Sequence, residues 1–419
     1  MFRYLNIAVC FRLLLVTGIT LSLAVSFSQP AWAELPNQKQ TAPSPPLGKG
    51  TVRVATFNVS MNRPKSGELL RDLVGNTAQI RKVASIIRLQ QPDIILLNEF
   101  DYDSNQASIK AFTDKYLNAD RPDIVGKPIQ YPYVFSAAVN TGVDSKMDLN
   151  QNGKTGDAAD SFGFGTFAGQ YGMVVLSKYP IQKSAIRTFQ KLRWARMPKA
   201  AIPINPKTQK PWYPNAVWKR LRLSSKSHWD VPVLINGATL HVLASHPTPP
   251  AFDGPEDRNG KRNHDEIRFW ADYVTKGKGG WITDDQGVSG GANLSEPFVI
   301  MGDLNADPVD GSSYGKAIHQ LLKRPNINAQ ATPVSEGAAE ASRVQKRVNL
   351  KHKGDPATDT ADFSDGGVGN LRADYVLPSR NIGVVKSGVF WPIKKDPLSV
   401  LLDCSDHHLV WLDIALLVQ

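Results

Sequence analysis

Acidic, amide and histidine residues recur along the chain, each at the polar end of a hydrophobic run. They lie in the segments ATFNVS (Asn58), PDIILLNEF (Glu99), LHVLASHP (His246), FVIMGDLNADP (Asp303, Asn305), LRADYVLP (Asp374) and SDHHLVWLDI (Asp406, His407). Such runs predict strands, and polar residues at strand ends point into the rim of a sheet, where a rigid scaffold displays its chemistry. The pattern predicts oxygen ligands for a hard divalent cation beside imidazoles that can carry protons.

The order of these segments resembles a known family. TFN, the glutamate of LLNEF, GDLN and SDHH are similar to signatures of the endonuclease/exonuclease/phosphatase superfamily, the DNase I-like metal-dependent phosphoesterases. The resemblance covers residues 51–419. A single tetrapeptide would be weak evidence, whereas six segments in the family's order argue against coincidence.

The hydrophobic periodicity predicts the fold class. Short β-rich runs are separated by long polar loops, and helical periodicity occurs in AQIRKVASIIRLQ (78–90) and HDEIRFWADYV (264–274). Strands and helices do not alternate strictly, which argues against a doubly wound parallel sheet. Together with the resemblance, this predicts an α/β fold: a four-layer α/β/β/α sandwich of two packed mixed β-sheets in one domain, 51–419.

The resemblance implies a metal site built from strand ends. It makes Glu99 the principal metal carboxylate, with Asn58 and Asp406 as further ligands, Asp406 directly or through water. Mg²⁺ or Mn²⁺ suits oxygen ligands that leave coordination sites for water and phosphate. The alternative for Glu99 is an ordinary surface acid after a strand.

The GDLN segment supplies the next pair of candidates. Asp303 and Asn305 are two positions apart, so in extended backbone their side chains lie on the same side. The resemblance implies that Asp303 orients or deprotonates the attacking water and that Asn305 positions the phosphate. The alternative is an Asx turn, because Asp and Asn both favour turns.

Two histidines complete the predicted catalytic set. By resemblance, His407 contacts the scissile phosphate and Asp374 hydrogen-bonds it, favouring its cationic form. His246 matches the second histidine of the deoxyribonuclease branch, where a carboxylate on the strand matching GQYGMVVL supports it. This chain has Gln170 and Tyr171 there, so a structural role is the alternative for His246.

Weaker substrate-binding candidates lie in loops. Tyr171 follows Gln170, Lys226 and His228 stand just before a predicted strand, and Arg258 and Arg262 follow His246. These side chains suit contact with a phosphate or a base. The alternative is a solvated turn or charged face, which is how most charge runs are used.

The N-terminal residues predict export. Residues 1–33 have arginines, an apolar stretch and Ala-Trp-Ala, the pattern of a cleavable signal peptide, and the Pro/Gly-rich residues 34–50 are typical of a disordered linker. We therefore expect a secreted or periplasmic protein without a stable membrane anchor after cleavage. Only Cys404 follows the leader, so no intrachain disulfide is expected.

These features predict a phosphodiester hydrolase acting on nucleic acid. The net charge of +11 favours polyanionic partners but says nothing about specificity. The alternatives are a lipid or small-molecule phosphoesterase, such as a sphingomyelinase or inositol phosphatase, and a catalytically silent binding protein on the same fold. The sequence leaves the true substrate, endo- or exo-action, the number of metals and the oligomeric state open.

A separate segment, DLNQNGKTGDAAD (148–160), suggests a structural Ca²⁺ site. Asp148, Asn150 and Asn152, followed by a glycine, reproduce the first half of a calcium loop, and Asp157 or Asp160 could complete the shell. Ala159 occupies the place of the usual bidentate glutamate. The alternative is a polar turn without an ion.

Thermal unfolding of a Glu99→Gln variant, whose catalytic site is weakened, tests this loop. With millimolar Ca²⁺ we expect its midpoint to rise by about 2–4 °C, because an ion that binds only the folded state stabilises it. An unmoved midpoint, or an equal rise after Asp148→Ala in the same background, would leave the loop as a turn.

Overall fold

The computed structural model describes residues 50–416. The predicted leader, residues 34–49 of the predicted linker and residues 417–419 lie outside the described residues. Among residues 50–416, no helix has both the length and the apolar character that crossing a membrane requires.

Two mixed β-sheets form the centre of the fold. The strands are β1 (Thr51–Met61), β2 (Ile94–Phe100), β3 (Tyr133–Phe135), β4 (Met173–Ser177), β5 (Arg187–Thr188), β6 (His228–Ile235), β7 (Ala238–Ser245), β8 (Phe298–Asp303), β9 (Ala361–Asp362), β10 (Asn370–Leu371), β11 (Asp374–Pro378), β12 (Ile382–Val389) and β13 (Val410–Leu416). One sheet has the order β12-β13-β1-β2-β4-β3 and the other β11-β8-β7-β6-β5, while β9 and β10 form a separate ribbon. The pairs β1–β2 and β7–β8 are parallel and the others antiparallel, so both sheets are mixed.

Helices cover the outer face of each sheet. The α-helices of the described residues are α1 (Glu68–Gly75), α2 (Ala78–Gln90), α3 (Ala107–Phe112), α4 (Asn215–Trp218), α5 (Arg258–Tyr273), α6 (His319–Leu322) and α7 (Glu336–Gln345). Successive strand residues point to opposite faces, so Val54 and Leu96 pack between the sheets, while Phe57 and Leu97 pack against α1, α2 and α3. Helices α5 and α6 cover β7, β8 and β11. The predicted four-layer sandwich is confirmed.

The helix predictions agree with the structure apart from one boundary. The periodic segment 78–90 coincides with α2, whereas 264–274 belongs to α5, which begins six residues earlier at Arg258. The strand β12 (IGVVKSGV) was not predicted. It lies at a sheet edge with half-exposed residues and two glycines, so it lacks the buried apolar run that marks the central strands.

Strand register brings distant residues together at one rim. Asn58 on β1 lies opposite Asn98 on β2, and Asp374 on β11 lies opposite Asp303 on β8. Gly302, just before Asp303, has φ +147°, and a Cβ there would lie 1.9 Å from the backbone oxygen of Ser245. Only glycine permits this approach of β8 to the end of β7.

We expect Gly302→Ala to destabilise the protein by at least about 2 kcal/mol, because overpacking and backbone strain each cost roughly 1–3 kcal/mol. Urea unfolding measures this. The control is Gly237→Ala, since Gly237 also has positive φ (+89°) but no atom within 4 Å of its added Cβ. Equal losses in the two variants would mean that the close approach is unimportant.

Candidate active site

The carboxylate of Asp303 is the centre of the site. Its Oδ2 accepts a hydrogen bond from Asn58 Nδ2 (3.0 Å) and lies 3.2 Å from His246 Nε2 and 3.6 Å from His407 Nε2. The backbone N–H of Asp303 donates to Asn98 Oδ1 (3.2 Å). Donors from both sheets thus converge on one oxygen of a carboxylate that is 1% exposed.

This environment keeps Asp303 ionised. Burial alone would raise its pKa, but the charge of His407 and the hydrogen bonds from His246 and Asn58 hold the pKa below its usual value. A carboxylate in this state can accept a proton or fix a water molecule by hydrogen bonding.

A buried chain of hydrogen bonds fixes His407. Asp374 Oδ2 accepts from His407 Nδ1 (2.8 Å) and from Thr360 Oγ1 (2.8 Å). Thr360 Oγ1 in turn accepts the backbone N–H of Ala373 and of Asp374. Burial would lower the pKa of His407, but the charges of Asp374 and Asp303 outweigh it and hold the pKa well above its usual value. His407 is therefore an imidazolium whose Nε2 faces the site.

His246 has a different environment. Its Nδ1 has no hydrogen-bond partner among the described residues. Gln170 does not supply one, because its side chain binds the backbone of Thr166 and Arg63. Burial and the charge of Lys226 lower the pKa of His246, despite the opposing charges of Asp303 and Glu99. His246 is thus a neutral imidazole.

Glu99 is held at the edge of this cluster with its carboxylate free. The residue has φ 60°, a left-handed conformation that costs about 1–3 kcal/mol, and is partly exposed. Within residues 50–416 its side chain has no hydrogen bond or ion pair. One ligand atom each of Glu99, His246 and Asp303 lie within 4.8 Å of one another, as do those of Asp303, Asp374 and His407. A strained, unpartnered acid beside a buried carboxylate fits a cation ligand.

Two predicted residues adopt geometries that differ from the expectation. Asn305 has φ 51°, so the backbone after Asp303 is not extended; instead its N–H donates to Asp303 Oδ1 (3.0 Å) in an Asx turn. Its Nδ2 donates to the backbone oxygen of Pro247 (3.2 Å). Asp406 is exposed, accepts from Ser60 Oγ (3.2 Å) and belongs to neither group of clustered ligand atoms.

Two of the weaker candidates lie at the site. Tyr171 has φ 54°, and its backbone N–H donates to Asp101 Oδ1 (3.0 Å). Burial and the charges of Glu99 and Asp101 raise the pKa of its phenol, so the ring lies near both acids. Lys226 is only 6% exposed, close enough to feel the charges of Glu99 and Asp303, although its own pKa is lowered by burial. Its ammonium forms no ion pair within 4.0 Å among the described residues.

The structure does not bring His228 and Arg262 into the site as free side chains. His228 is buried, bonded through Nδ1 to Ser224 Oγ and through Nε2 to the backbone oxygen of Glu266, and burial lowers its pKa to about 4. Arg262 is committed to the backbone oxygens of Leu223, Phe162 and Arg222. Both side chains brace the loops around the site. Arg258 forms an ion pair with Glu256 and lies over the ring of Trp212, outside the strand-end cluster.

Sequence reasoning missed several supporting residues. Asn98 receives the Asp303 N–H, Thr360 holds Asp374, and Ser405 bonds the backbone oxygen of Asn58 and the N–H of His407. Asn98 lies beside Glu99 in LLNEF and Ser405 lies in SDHH, so their places in these motifs could have indicated their roles. Thr360 lies in a loop without any pattern.

Backbone N–H groups of the loop 148–160 donate hydrogen bonds to the loop's own carboxylates. Asp148 accepts from the N–H of Asn152 and Gly153, and Asp160 from Leu149 and Gly156. The amides of Asn150 and Asn152 both donate to Asp157 Oδ2. Among residues 50–416 these three carboxylates do not form a group with clustered ligand atoms. The Ca²⁺ site stays a prediction.

A comparison with known protein families identifies the family of this chain. The model of the Endonuclease/Exonuclease/phosphatase family matches residues 55–407, from the β1 segment to His407. The chain belongs to this family. Members of the family are generally hydrolytic phosphoesterases and depend on divalent metals.

Solved structures are similar in fold at low sequence identity. An endonuclease/exonuclease/phosphatase from Beutenbergia cavernae is 16% identical, with 87% of this chain and 72% of that chain covered and a TM-score of 0.46. TDP2 from C. elegans is 16% identical (88% and 76% covered, TM-score 0.41), and sphingomyelinase C from Streptomyces griseocarneus 14% identical (87% and 99% covered, TM-score 0.40). No curated protein is significantly similar in sequence.

The residues present fit the divalent cation that the family requires. Glu99 offers a carboxylate without a competing partner, and the amide oxygen of Asn58 and the exposed carboxylate of Asp406 border the same rim. Oxygen donors of this kind suit Mg²⁺ or Mn²⁺.

We expect Asp374→Asn to lower kcat by about 10²–10⁴-fold with little change in KM, because His407 would lose the carboxylate that charges and orients it. The imidazolium exists below its pKa, so lowering that pKa moves the alkaline limb of the pH–rate profile to lower pH. Thr360→Val, which removes only the bond behind Asp374, should give a smaller shift in the same direction. An unchanged profile with weaker binding would make Asp374 a substrate contact.

Proposed function

We propose that this protein is a divalent-metal-dependent phosphodiesterase that hydrolyses nucleic acid. The observation that carries the proposal is the pairing of an ionised, buried Asp303 with the His407 imidazolium, 3.6 Å apart, beside an unpartnered Glu99. Phosphodiester hydrolysis needs a base or acceptor for the attacking water and positive charge for the phosphate, and this cluster supplies both.

Each side chain then has a task. Asp303 orients the attacking water and accepts its proton, since its carboxylate is held ionised. His407, kept cationic by Asp374, donates through Nε2 to a phosphate oxygen as negative charge increases there. Lys226 adds a second positive charge from the wall of the cleft. Glu99 would hold a divalent cation, which would supply further neutralisation of the negative charge on the phosphate and on the leaving oxygen.

Charge favours nucleic acid as the substrate. The chain carries a formal net charge of +11, and the ammonium of Lys226 faces the site without a partner among the described residues. Polyanions gain most from such a field. Since the sequence begins with the features of an export signal, we place this activity in the periplasm or outside the cell, as a secreted nuclease.

One observation favours a second candidate, a lipid phosphodiesterase. Phe252, in the loop after His246, is 88% exposed and has φ 62°. Its two neighbours in the chain are bonded to Asn259, which donates to the backbone oxygen of Ala251 and to the carboxylate of Asp253. An exposed aromatic side chain suits contact with a lipid surface as well as stacking on a base.

The deciding experiment measures hydrolysis of single- and double-stranded DNA, RNA, sphingomyelin vesicles and bis-p-nitrophenyl phosphate, with Mg²⁺, Mn²⁺, Ca²⁺ or chelator. We expect metal-dependent cleavage of nucleic acid and of the synthetic diester. Turnover of sphingomyelin alone, lost on Phe252→Ser, would select the lipid activity instead. Activity that is unaffected by chelator would contradict the metal assignment.

We expect Glu99→Gln and His407→Ala each to lower kcat/KM at least about 10³-fold, since each removes charge used in the transition state. Circular dichroism and thermal unfolding should show an intact fold. Glu336→Gln and His352→Ala are matched controls, because neither residue belongs to the cluster, and both should keep wild-type rates. Near-wild-type activity of either test variant, with metal present, would sink the assignment.

A further inference from the structure

Four basic residues line a cavity beside the active site. Lys191, Arg193, Arg220 and Arg222, together with Phe162, enclose roughly 290 Å³. We call these five residues the basic pocket. None of its cations has a role in the cluster around Asp303.

The sequence places two of these arginines side by side. The segments Leu192–Trp194 and Leu221–Leu223 run antiparallel, with Arg193 directly opposite Arg222. Both segments alternate apolar, arginine, apolar, and their apolar residues are buried in the core under α5. Because alternate residues point to opposite faces, the two guanidinium groups share the remaining face.

This arrangement opposes stability. Like charges directly opposite each other on paired strands are destabilising. Within residues 50–416, no carboxylate lies within 4.0 Å of any of the four charged groups. The nearby Asp285 is occupied by Thr188 Oγ1 and by the N–H groups of Gln190 and Lys191, although its charge reaches Arg222. Clustered cations that form no ion pair are typical of a site that receives an anion.

Two of the guanidinium groups are already oriented. Arg222 lies 4.2 Å from the ring centroid of Phe162 and donates to Asn140 Oδ1 (2.6 Å). Arg220 donates to the backbone oxygen of Ser145 (3.2 Å). Such preorganised guanidinium groups bind phosphate with less loss of side-chain entropy.

Asn140 links the basic pocket to the segment that carries Lys226. The side chain of Asn140 accepts the hydrogen bond from Arg222, and its backbone N–H donates to the backbone oxygen of Lys226 (2.9 Å). Arg222 and Lys226 lie four residues apart on one segment, at most about 13 Å of extended chain. A nucleic-acid strand advances about 3.4 Å per nucleotide in a duplex, so a phosphate only a few nucleotides from the reacting one reaches the pocket.

We propose that the basic pocket binds a non-scissile phosphate of the nucleic-acid strand whose cleavage occurs at Asp303 and His407. The proposal rests on the proposed function and narrows it to substrates with several phosphates in a row. A diester with one phosphate and a neutral remainder does not use the pocket.

The test is an Arg193→Gln/Arg220→Gln double variant. Binding of a fluorescent single-stranded deoxyoligonucleotide is measured by anisotropy in the Glu99→Gln background, between about 50 and 200 mM salt. We expect roughly tenfold weaker binding at the lowest salt, and a plot of log affinity against log salt that is shallower by about 0.7, as the loss of one neutralised phosphate of a single strand predicts. With Glu99 intact, turnover of bis-p-nitrophenyl phosphate stays unchanged.

The control removes the same charge elsewhere. Lys386→Gln/Lys395→Gln alters two exposed lysines on and beyond β12, at the far edge of the other sheet. Equal losses in the control, an unchanged salt dependence in the double variant, or an equal loss on the synthetic diester would each overturn the proposal. If the double variant is unstable, the single variant Arg220→Gln is tested instead, because Arg220 does not belong to the antiparallel Arg193–Arg222 pair.

Two further outcomes are separable. The Arg193→Gln/Arg220→Gln variant could stop co-sedimenting with phosphatidylserine vesicles and still bind the oligonucleotide. That result would assign the pocket to an anionic lipid surface and overturn a nucleic-acid role. A wild-type protein that hydrolyses no diester would refute the proposed function, and oligonucleotide binding would still report on the pocket.

Discussion

The burial of one ionised carboxylate constrains the whole structure. A charged group without water is stable only if other groups replace its hydration. Asp303 obtains donors from Asn58 on β1 and from His246 after β7, and an opposite charge from His407 before β13. Those donors come from both sheets. The sandwich must therefore close in one register, because a slip of one residue would leave the carboxylate buried and unpaired.

The same constraint divides the roles of the two histidines. His407 has Asp374 behind it and is cationic, whereas His246 has no group behind it and a lysine nearby, and is neutral. Gln170 stands where the resemblance to the deoxyribonuclease branch implies a supporting carboxylate, and its side chain bonds Thr166 and Arg63 instead. The charge near His246 is that of Lys226, which lowers the pKa of the imidazole.

Much of this could be predicted from the sequence, for a physical reason. Glu99, Asp303, Asp374 and His407 follow buried strands, and period-two alternation with short apolar runs is what sequence shows most clearly. The Asx turn at Asn305 was the alternative that the residue types Asp and Asn allowed. The bonds from His228 and Arg262 to backbone oxygens could not be predicted, because they depend on contacts between loops far apart in sequence, for which no local pattern exists. The pairing of Arg193 with Arg222 could not be predicted either, because it joins two segments that are distant in sequence.

The pairing of the first and last strands sets when the protein can act. Strand β1 lies between β2 and β13, with Thr51 opposite Ala415, and a buried ion pair joins Arg53 to Asp413. His407 stands just before β13. In a chain made from its N-terminus onward, Glu99, His246 and Asp303 are synthesised early, but the site gains its imidazolium only when β13 pairs with β1. Hydrolytic capacity thus appears last in biogenesis, after almost the entire chain has left the ribosome.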